Sequence, residues 1–168
     1  RNFLRPSHQK TPFRACESVA ELKDLVAAQF KQRNVEMIIE DHEHFYCLAY
    51  PNDVRHVVLN ILNNAKDACC DNGQRSCRIT ASFSHDDQMG IVRIRDNAGG
   101  IPEALLPERL FEPYVSTKGE RGSGIGLQLS KTIIEARMGG RLWAHNVNGG
   151  AEFVIELPLL QSTWQDAP

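Results

Sequence analysis

Residues 58–68 read VLNILNNAKDA. Asn60, Asn63 and Asn64 interrupt an otherwise apolar helical register. Val54, Val57, Val58, Ile61, Leu62, Ala65 and Ala68 recur at three- and four-residue intervals, the spacing of one buried helix face. Asparagine is a poor helix former, and its amide is costly to bury without partners. Asn60 and Asn64 stand four residues apart and project from the same face. Two amide oxygens there can coordinate a hard cation such as Mg²⁺, which takes oxygen ligands and is shared with substrate phosphates. The same pair can equally cap or cross-link the core.

Around this helix the pattern alternates between helical and strand periodicity. Ser18 and Glu21 have the spacing of a capping box, and Val19, Leu22, Leu25, Val26 and Phe30 follow, which predicts a helix over 18–32. Residues 35–40 and 45–50 read as strands around the polar turn Asp41-His42-Glu43-His44. Asn52 is placed to cap the asparagine helix, and Asn72-Gly73 to end it. Residues 77–84 and 89–96 alternate apolar and polar, predicting a hairpin through Asp86-Asp87. From Asn97 to Gly126 periodicity stops, and six of the twelve glycines lie there. A helix resumes at Ile125 and runs to Gly139-Gly140, and strands 141–147 and 151–158 follow around Gly149-Gly150. Hairpins favour antiparallel pairing, so the expectation is an α+β, two-layer α/β sandwich. About three helices would cover one face of a mixed, mostly antiparallel sheet.

Composition narrows the class. With 168 residues and 42% hydrophobic content, the chain is expected to build one domain with a real core. The net charge of −2 gives no general basic footprint for nucleic acid. The five cysteines, Cys16, Cys47, Cys69, Cys70 and Cys77, are odd in number and irregular in spacing, and read as reduced thiols of a cytoplasmic protein. No apolar run approaches the ~18 residues of a membrane span, and no signal peptide is visible. Residues 1–12 read as a linker, 13–160 as the domain and 161–168 as a tail.

Three further stretches carry chemistry. In IRDNAGGIP, residues 94–102, Asp96 ends a strand and meets small, glycine-rich backbone. Its carboxylate can accept from an exocyclic amino group while the glycines admit a flat ligand, although an Asx turn at a strand end reads the same way. In ERLFEPYVSTKGERGSGIGL, residues 108–127, Gly119, Gly122, Gly124 and Gly126 lead into a helix start. Free N–H groups there bind phosphate, and Lys118 and Arg121 add positive charge. The stretch is neither a Walker A loop nor a dinucleotide fingerprint, and a flexible surface loop is the alternative. GGRLWAHNVNGGAEFVIELP, residues 139–158, reads as a sheet hairpin with Trp143 in the core rather than as a ligand platform.

The order of these stretches resembles the ATP-binding catalytic domain of two-component sensor histidine kinases, in the superfamily that also holds gyrase, Hsp90 and MutL. HVVLNILNNAKDA matches the N box, RDNAGGIP the G1 box, LFEPYVSTK the F box and GSGIGL the G2 box. NNAKDA is similar to the nitrogen-regulator type. The resemblance implies a Bergerat-type ATP-binding fold. It implies ATP and Mg²⁺ as ligands, with Asn64 on the metal and Asn60 and Asn64 as the catalytic pair. Asp96 would receive the adenine amino group, and Gly100 and Ile101 would border the base. Residues 107–124 would form a lid, in which Ser116, Thr117 and Lys118 belong to the nucleotide site. Gly122, Ser123, Gly124, Ile125, Gly126 and Leu127 would meet the phosphates, and Asp67 completes the nucleotide-binding set.

Several positions depart from that pattern. Asn60 stands where the ATPase branches carry a water-activating glutamate, and an amide cannot act as a general base. Asp67, beside Lys66, replaces a basic residue, and Ala98 replaces the first G1 glycine. Glu152 is expected where a small hydroxyl residue is common near the adenine. None of the six histidines sits in a phosphoacceptor motif. The resemblance therefore implies an acceptor histidine on an upstream dimerisation domain and a response-regulator receiver domain as the next partner. The parent protein would be a homodimer and this piece a monomer. A protein ATPase of the same superfamily and a non-catalytic docking module are the competing readings.

Overall fold

The structure, a computed structural model, describes residues 9–40, 43–71, 73, 76–113 and 126–161. A short strand β1 (Thr11–Phe13) leads into helix α1 (Ala15–Gln32). Strands β2 (Val35–Ile39) and β3 (Cys47–Ala49) precede helix α2 (Pro51–Asp71). The hairpin β4 (Cys77–His85) and β5 (Met89–Asp96) follows. Two 3₁₀ turns, Glu103–Leu105 and Arg109–Phe111, lie before helix α3 (Gly126–Thr132), which continues as a π turn over Ile133–Arg137. Strands β6 (Arg141–Val147) and β7 (Gly150–Pro158) complete the described elements.

The main sheet has the order β2-β4-β5-β7-β6. Its β2–β4 pair is parallel and the other pairs are antiparallel. The helices pack on one face, so the fold is the α+β two-layer sandwich that the sequence pattern implies. Alternation decides which side chains meet them. Val92 and Ile94 of β5, Phe153, Ile155 and Leu157 of β7, and Leu142 and Ala144 of β6 join the core under the helices. Ile61 and Leu62 of α2, Ile79 of β4 and Ile134 after α3 are fully buried there. Each such side chain contributes about 1.5–3 kcal/mol on burial.

Five local expectations change. The chain over 35–50 does not form a hairpin: β2 pairs with β4, and β3 pairs with β1 in a separate two-stranded sheet. Residues read as linker thus supply a strand, because Phe13 enters the core opposite Cys47. Helix α1 begins at Ala15 rather than 18, and Ser18 is a buried interior residue whose Oγ accepts from Arg55 Nε at 3.1 Å. Pro51 is itself the first residue of α2, a position where its missing N–H costs nothing, and Asn52 accepts from Arg55 NH1 instead of standing as the cap. Trp143 is half-buried on the sheet face opposite the helices, with the Arg141 guanidinium 5.4 Å from its ring centre.

The cysteines also depart from the thiol reading. Cys69 and Cys77 are joined as a disulfide between the end of α2 and the start of β4, with Cα atoms 5.9 Å apart. The turn between these elements brings the two together, which spacing along the chain cannot reveal. Cys16, Cys47 and Cys70 are free. Burial pushes the Cys47 thiol up to about 12, against a weaker lowering by the Gly90 backbone, so it stays protonated. Thiol titration of the unfolded protein should give three groups before reduction and five after. The double variant Cys69→Ala/Cys77→Ala should lose about 2–3 kcal/mol in urea unfolding, as expected for opening a short loop.

Candidate functional site

The site is built from one face of α2, the C-terminal end of β5 with its loop, and the start of α3. Residues 60, 64 and 67 fall on one stripe of α2, bordering the Val57, Ile61 and Ala65 stripe that enters the core. Nδ2 of Asn60 donates to Oγ of Ser130 at 3.1 Å, and Ser130 is buried in α3. The first residue of α3 packs on the same amide: a Cβ at Gly126 would lie 2.9 Å from Asn60 Oδ1. A side chain at 126 would displace Asn60, which gives the glycine a packing reason. Leu127 sits beside it, packed against the core. Asn64 has no hydrogen-bond partner among the described residues and is half-buried. Asn63 Oδ1 is buried without a partner among the described residues. Lys66 is buried, with Nζ 3.8 Å from Asp67 Oδ1.

Asp96 stands at the end of β5 and is 7% exposed. Its Oδ1 accepts the Ala98 N–H at 2.9 Å and the Ala151 N–H at 3.3 Å. Oδ2 has no protein partner among the described residues. Burial raises the pKa of this carboxyl, and the two backbone N–H groups work against that rise. Gly150 lies against the Asp96 carbonyl so closely that a Cβ there would collide with it.

The loop after Asp96 is fastened to the β6–β7 hairpin. The Gly99 N–H donates to Gly149 O at 3.1 Å. Gly99 and Gly100 take φ of +96° and +89°, the left-handed region that favours glycine. Asn146 Oδ1 accepts the Ile101 N–H at 2.7 Å, and Asn146 Nδ2 donates to Ile101 O at 2.8 Å. Beyond the loop, Leu110 and Phe111 are buried, and Lys131 Nζ lies 4.7 Å from the Phe111 ring centre. The same amine donates to Leu142 O and Glu135 Oε2, so the LFEP stretch is held by α3 and β6.

Of the residues singled out from sequence, Asn60 meets Gly126, and Asp96, Gly100 and Ile101 share one loop. Asn64 and Asp67 share the Asn60 face. Ser116, Thr117, Lys118, Gly122, Ser123, Gly124 and Ile125 lie outside the described residues, with Gly119, Arg121 and most of the expected lid. Glu152 is not beside Asp96. In register it faces Arg95 and His145, and its Oε1 accepts from Arg93 NH1 at 3.2 Å and lies 2.8 Å from His145 Nε2. Strand alternation turns Glu152 to the open sheet face and gives the Asp96 side to Ala151. Sequence reasoning missed Ser130, Ala151 and Asn146. The last left a signal, since asparagine is depleted within strands.

Residues 49–161 match the family described as histidine kinase-, DNA gyrase B-, and HSP90-like ATPase. The chain belongs to that family, and its likeness within it is to the catalytic domains of histidine kinases. It is 36% identical over 142 residues to sporulation kinase E of Bacillus subtilis, covering 83% of this chain and 18% of that protein. It is 34% identical over 161 residues to the signal transduction histidine-protein kinase AtoS of Escherichia coli, covering 94% of this chain and 25% of that one. The nucleotide-free catalytic domain of histidine kinase ThkA superimposes with a TM-score of 0.79 at 27% identity, over 89% of this chain and 95% of that one. ThkA in complex with response regulator protein TrrA gives a TM-score of 0.74 at 26% identity, over 90% of this chain and 42% of that one. The chain thus spans a quarter or less of these two curated relatives. No described helix is long and apolar enough to cross a membrane.

The Asn60–Ser130–Gly126 junction makes a test of its own. Ser130→Ala and Gly126→Ala should each cost about 1 kcal/mol in denaturant unfolding. The double variant should cost less than the sum, because both remove the same interhelical bond.

Proposed function

We propose that this chain binds ATP with Mg²⁺ and delivers the γ-phosphate to a histidine on another segment of its parent kinase, for relay to a response-regulator aspartate. Asp96 carries the reading. Both of its backbone bonds fall on Oδ1, so Oδ2 is left to accept an exocyclic amine such as that of adenine. A buried, partly unsatisfied carboxylate is costly without such a donor.

The donor chemistry of α2 suits Mg²⁺. Asn64 would hold it through an amide oxygen, with Asn60 one turn earlier on the same face. The ion, when bound, would supply charge neutralisation for the phosphates. Gly100 and Ile101 border the base. Ser116, Thr117 and Lys118, then Gly122, Ser123, Gly124, Ile125, Gly126 and Leu127, would meet the phosphates, with Asp67 completing the set. Positioning and electrostatics do most of the work in phosphoryl transfer.

Asn60 favours transfer over hydrolysis. Its amide cannot take a proton from water, and its Nδ2 is engaged by Ser130. The names of the kinase relatives and the ThkA–TrrA complex support the same direction. In this reading residues 13–160 are the catalytic domain of a cytoplasmic, homodimeric kinase assembly, and the acceptor histidine lies outside this chain.

Calorimetry with the non-hydrolysable analogue AMPPNP tests it. Wild type should bind in a Mg²⁺-dependent way, and Asn64→Ala should weaken binding at least about tenfold. Asp96→Asn places a donor against the adenine amine and should cost about 10–100-fold. Absence of AMPPNP binding by wild type at millimolar concentration would overturn the proposal.

The pH dependence has a definite sign. The folded state holds the Asp96 proton to higher pH than the unfolded chain does. Stability from this group is therefore full below the unfolded pKa of about 3.9 and is lost as pH rises through the folded value. Binding needs the carboxylate, so affinity should fall as pH drops through the same raised value. Titrations at successively lower pH should show this decline in wild type but not in Asp96→Asn.

A further inference from the structure

We infer that Asn146 is a positioning residue for the base pocket, setting where the 97–101 loop stands relative to Asp96. The inference rests on the nucleotide reading above and concerns the purine end of the same site.

The register places Asn146 opposite Ala151, one strand further from Asp96, whose Oδ1 accepts the Ala151 N–H. Strand alternation puts the Asn146 side chain on the same sheet face as Leu142 and Ala144, the face that carries Asp96. The loop 97–101 leaves β5 at Asp96 and reaches β6 at Asn146, crossing the edge of β7 on the way. It is tied down at four points, the first being Asn97 Oδ1, which accepts the Arg78 N–H at 2.8 Å. Ala98 N–H bonds Asp96 Oδ1 and Gly99 N–H bonds Gly149 O. Ile101 is gripped on both its N–H and its carbonyl by the one amide of Asn146.

The last of these ties is made by a side chain of β6, on the far side of β7 from Asp96. A primary amide can accept from an N–H and donate to a C=O of the same residue at once, through two separate atoms. Aspartate lacks the donor, and serine is too short to span both atoms. Asn146 also fills the space that a side chain at 100 would need, since a Cβ on Gly100 would lie 2.8 Å from its Oδ1. Glycine at 100 therefore meets two demands, a φ of +89° and the approach of this amide. Asn146 is itself exposed, so little core packing depends on it. An exposed strand asparagine whose amide oxygen and amide nitrogen both bond one loop residue is there for the loop. A flat base that donates to Asp96 needs the 99–101 backbone at a fixed distance from that carboxylate, and Asn146 fixes it.

The test uses Asn146→Ala and Asn146→Asp in the whole chain. AMPPNP–Mg²⁺ affinity is read by calorimetry, Ile101 amide exchange by NMR, and thermal unfolding by calorimetry. Asn146→Ala should weaken AMPPNP about tenfold and speed Ile101 exchange at least about tenfold, with an unfolding midpoint close to wild type. Asn146→Asp keeps the acceptor for the Ile101 N–H and should recover part of both losses. Unchanged AMPPNP affinity in Asn146→Ala overturns the inference. So does an affinity loss that comes with a matching fall in midpoint and faster exchange throughout the chain. Failure of wild type to bind AMPPNP strikes instead at the nucleotide reading beneath it, and the two failures are told apart by that single control.

Discussion

The burial of one carboxylate organises this molecule. Asp96 ends a central strand and receives N–H groups from its own loop and from β7. Those bonds hold β5, the glycine-rich turn and the β6–β7 hairpin in one frame. They also dictate composition nearby. Gly150 must lack a side chain because the Asp96 backbone lies against it, and Ala151 offers its amide from the strand next door. Desolvation makes the arrangement costly for a charged group, and two backbone donors only partly relieve it. A carboxylate in that condition gains from any further donor that reaches it.

The second organising element is helix α2, which faces two environments at once. Val57, Ile61 and Leu62 seat it on the sheet, while Asn60 reaches α3 through Ser130. Asn60 and Asn64 stand at the edge of that buried face. Asn60 in particular joins two helices where an acidic residue would bring a base. An amide at this position, unlike a carboxylate, cannot act as a general base toward water.

Much of this was legible in the sequence, and the limits have physical causes. The periodicities of α2, of the β4–β5 hairpin and of the closing hairpin are strong because one face of each is buried. The order of the four boxes pointed to the family that residues 49–161 match. Partners far apart in the chain were not legible. β2 looks like half of a hairpin with β3, yet its alternation fits β4 in parallel equally well, and packing decides. Ser18 has the spacing of a cap but lies within α1, where it meets Arg55. Cys69 and Cys77 are neighbours only once α2 turns back to the sheet. Glu152 was assigned to the wrong face because a one-residue difference along a strand inverts every side chain. Asn146 carried a propensity signal, but its partner Ile101 lies 45 residues away.

The small sheet of β1 and β3 gives the domain a mechanical property. Thr11, Pro12 and Phe13 lie alongside Ala49, Leu48 and Cys47, while Leu159 bridges Cys47 and the Leu160 N–H bonds Tyr46 O. Chain entering at residue 9 and chain leaving after residue 160 are therefore anchored to the same short strand. That strand runs within two residues of Pro51, the first residue of α2. β3 thus links both flanking segments to the root of the asparagine helix, while the Leu159 N–H, bonded to Gln88 O at 2.8 Å, ties the second of them to the β4–β5 turn as well.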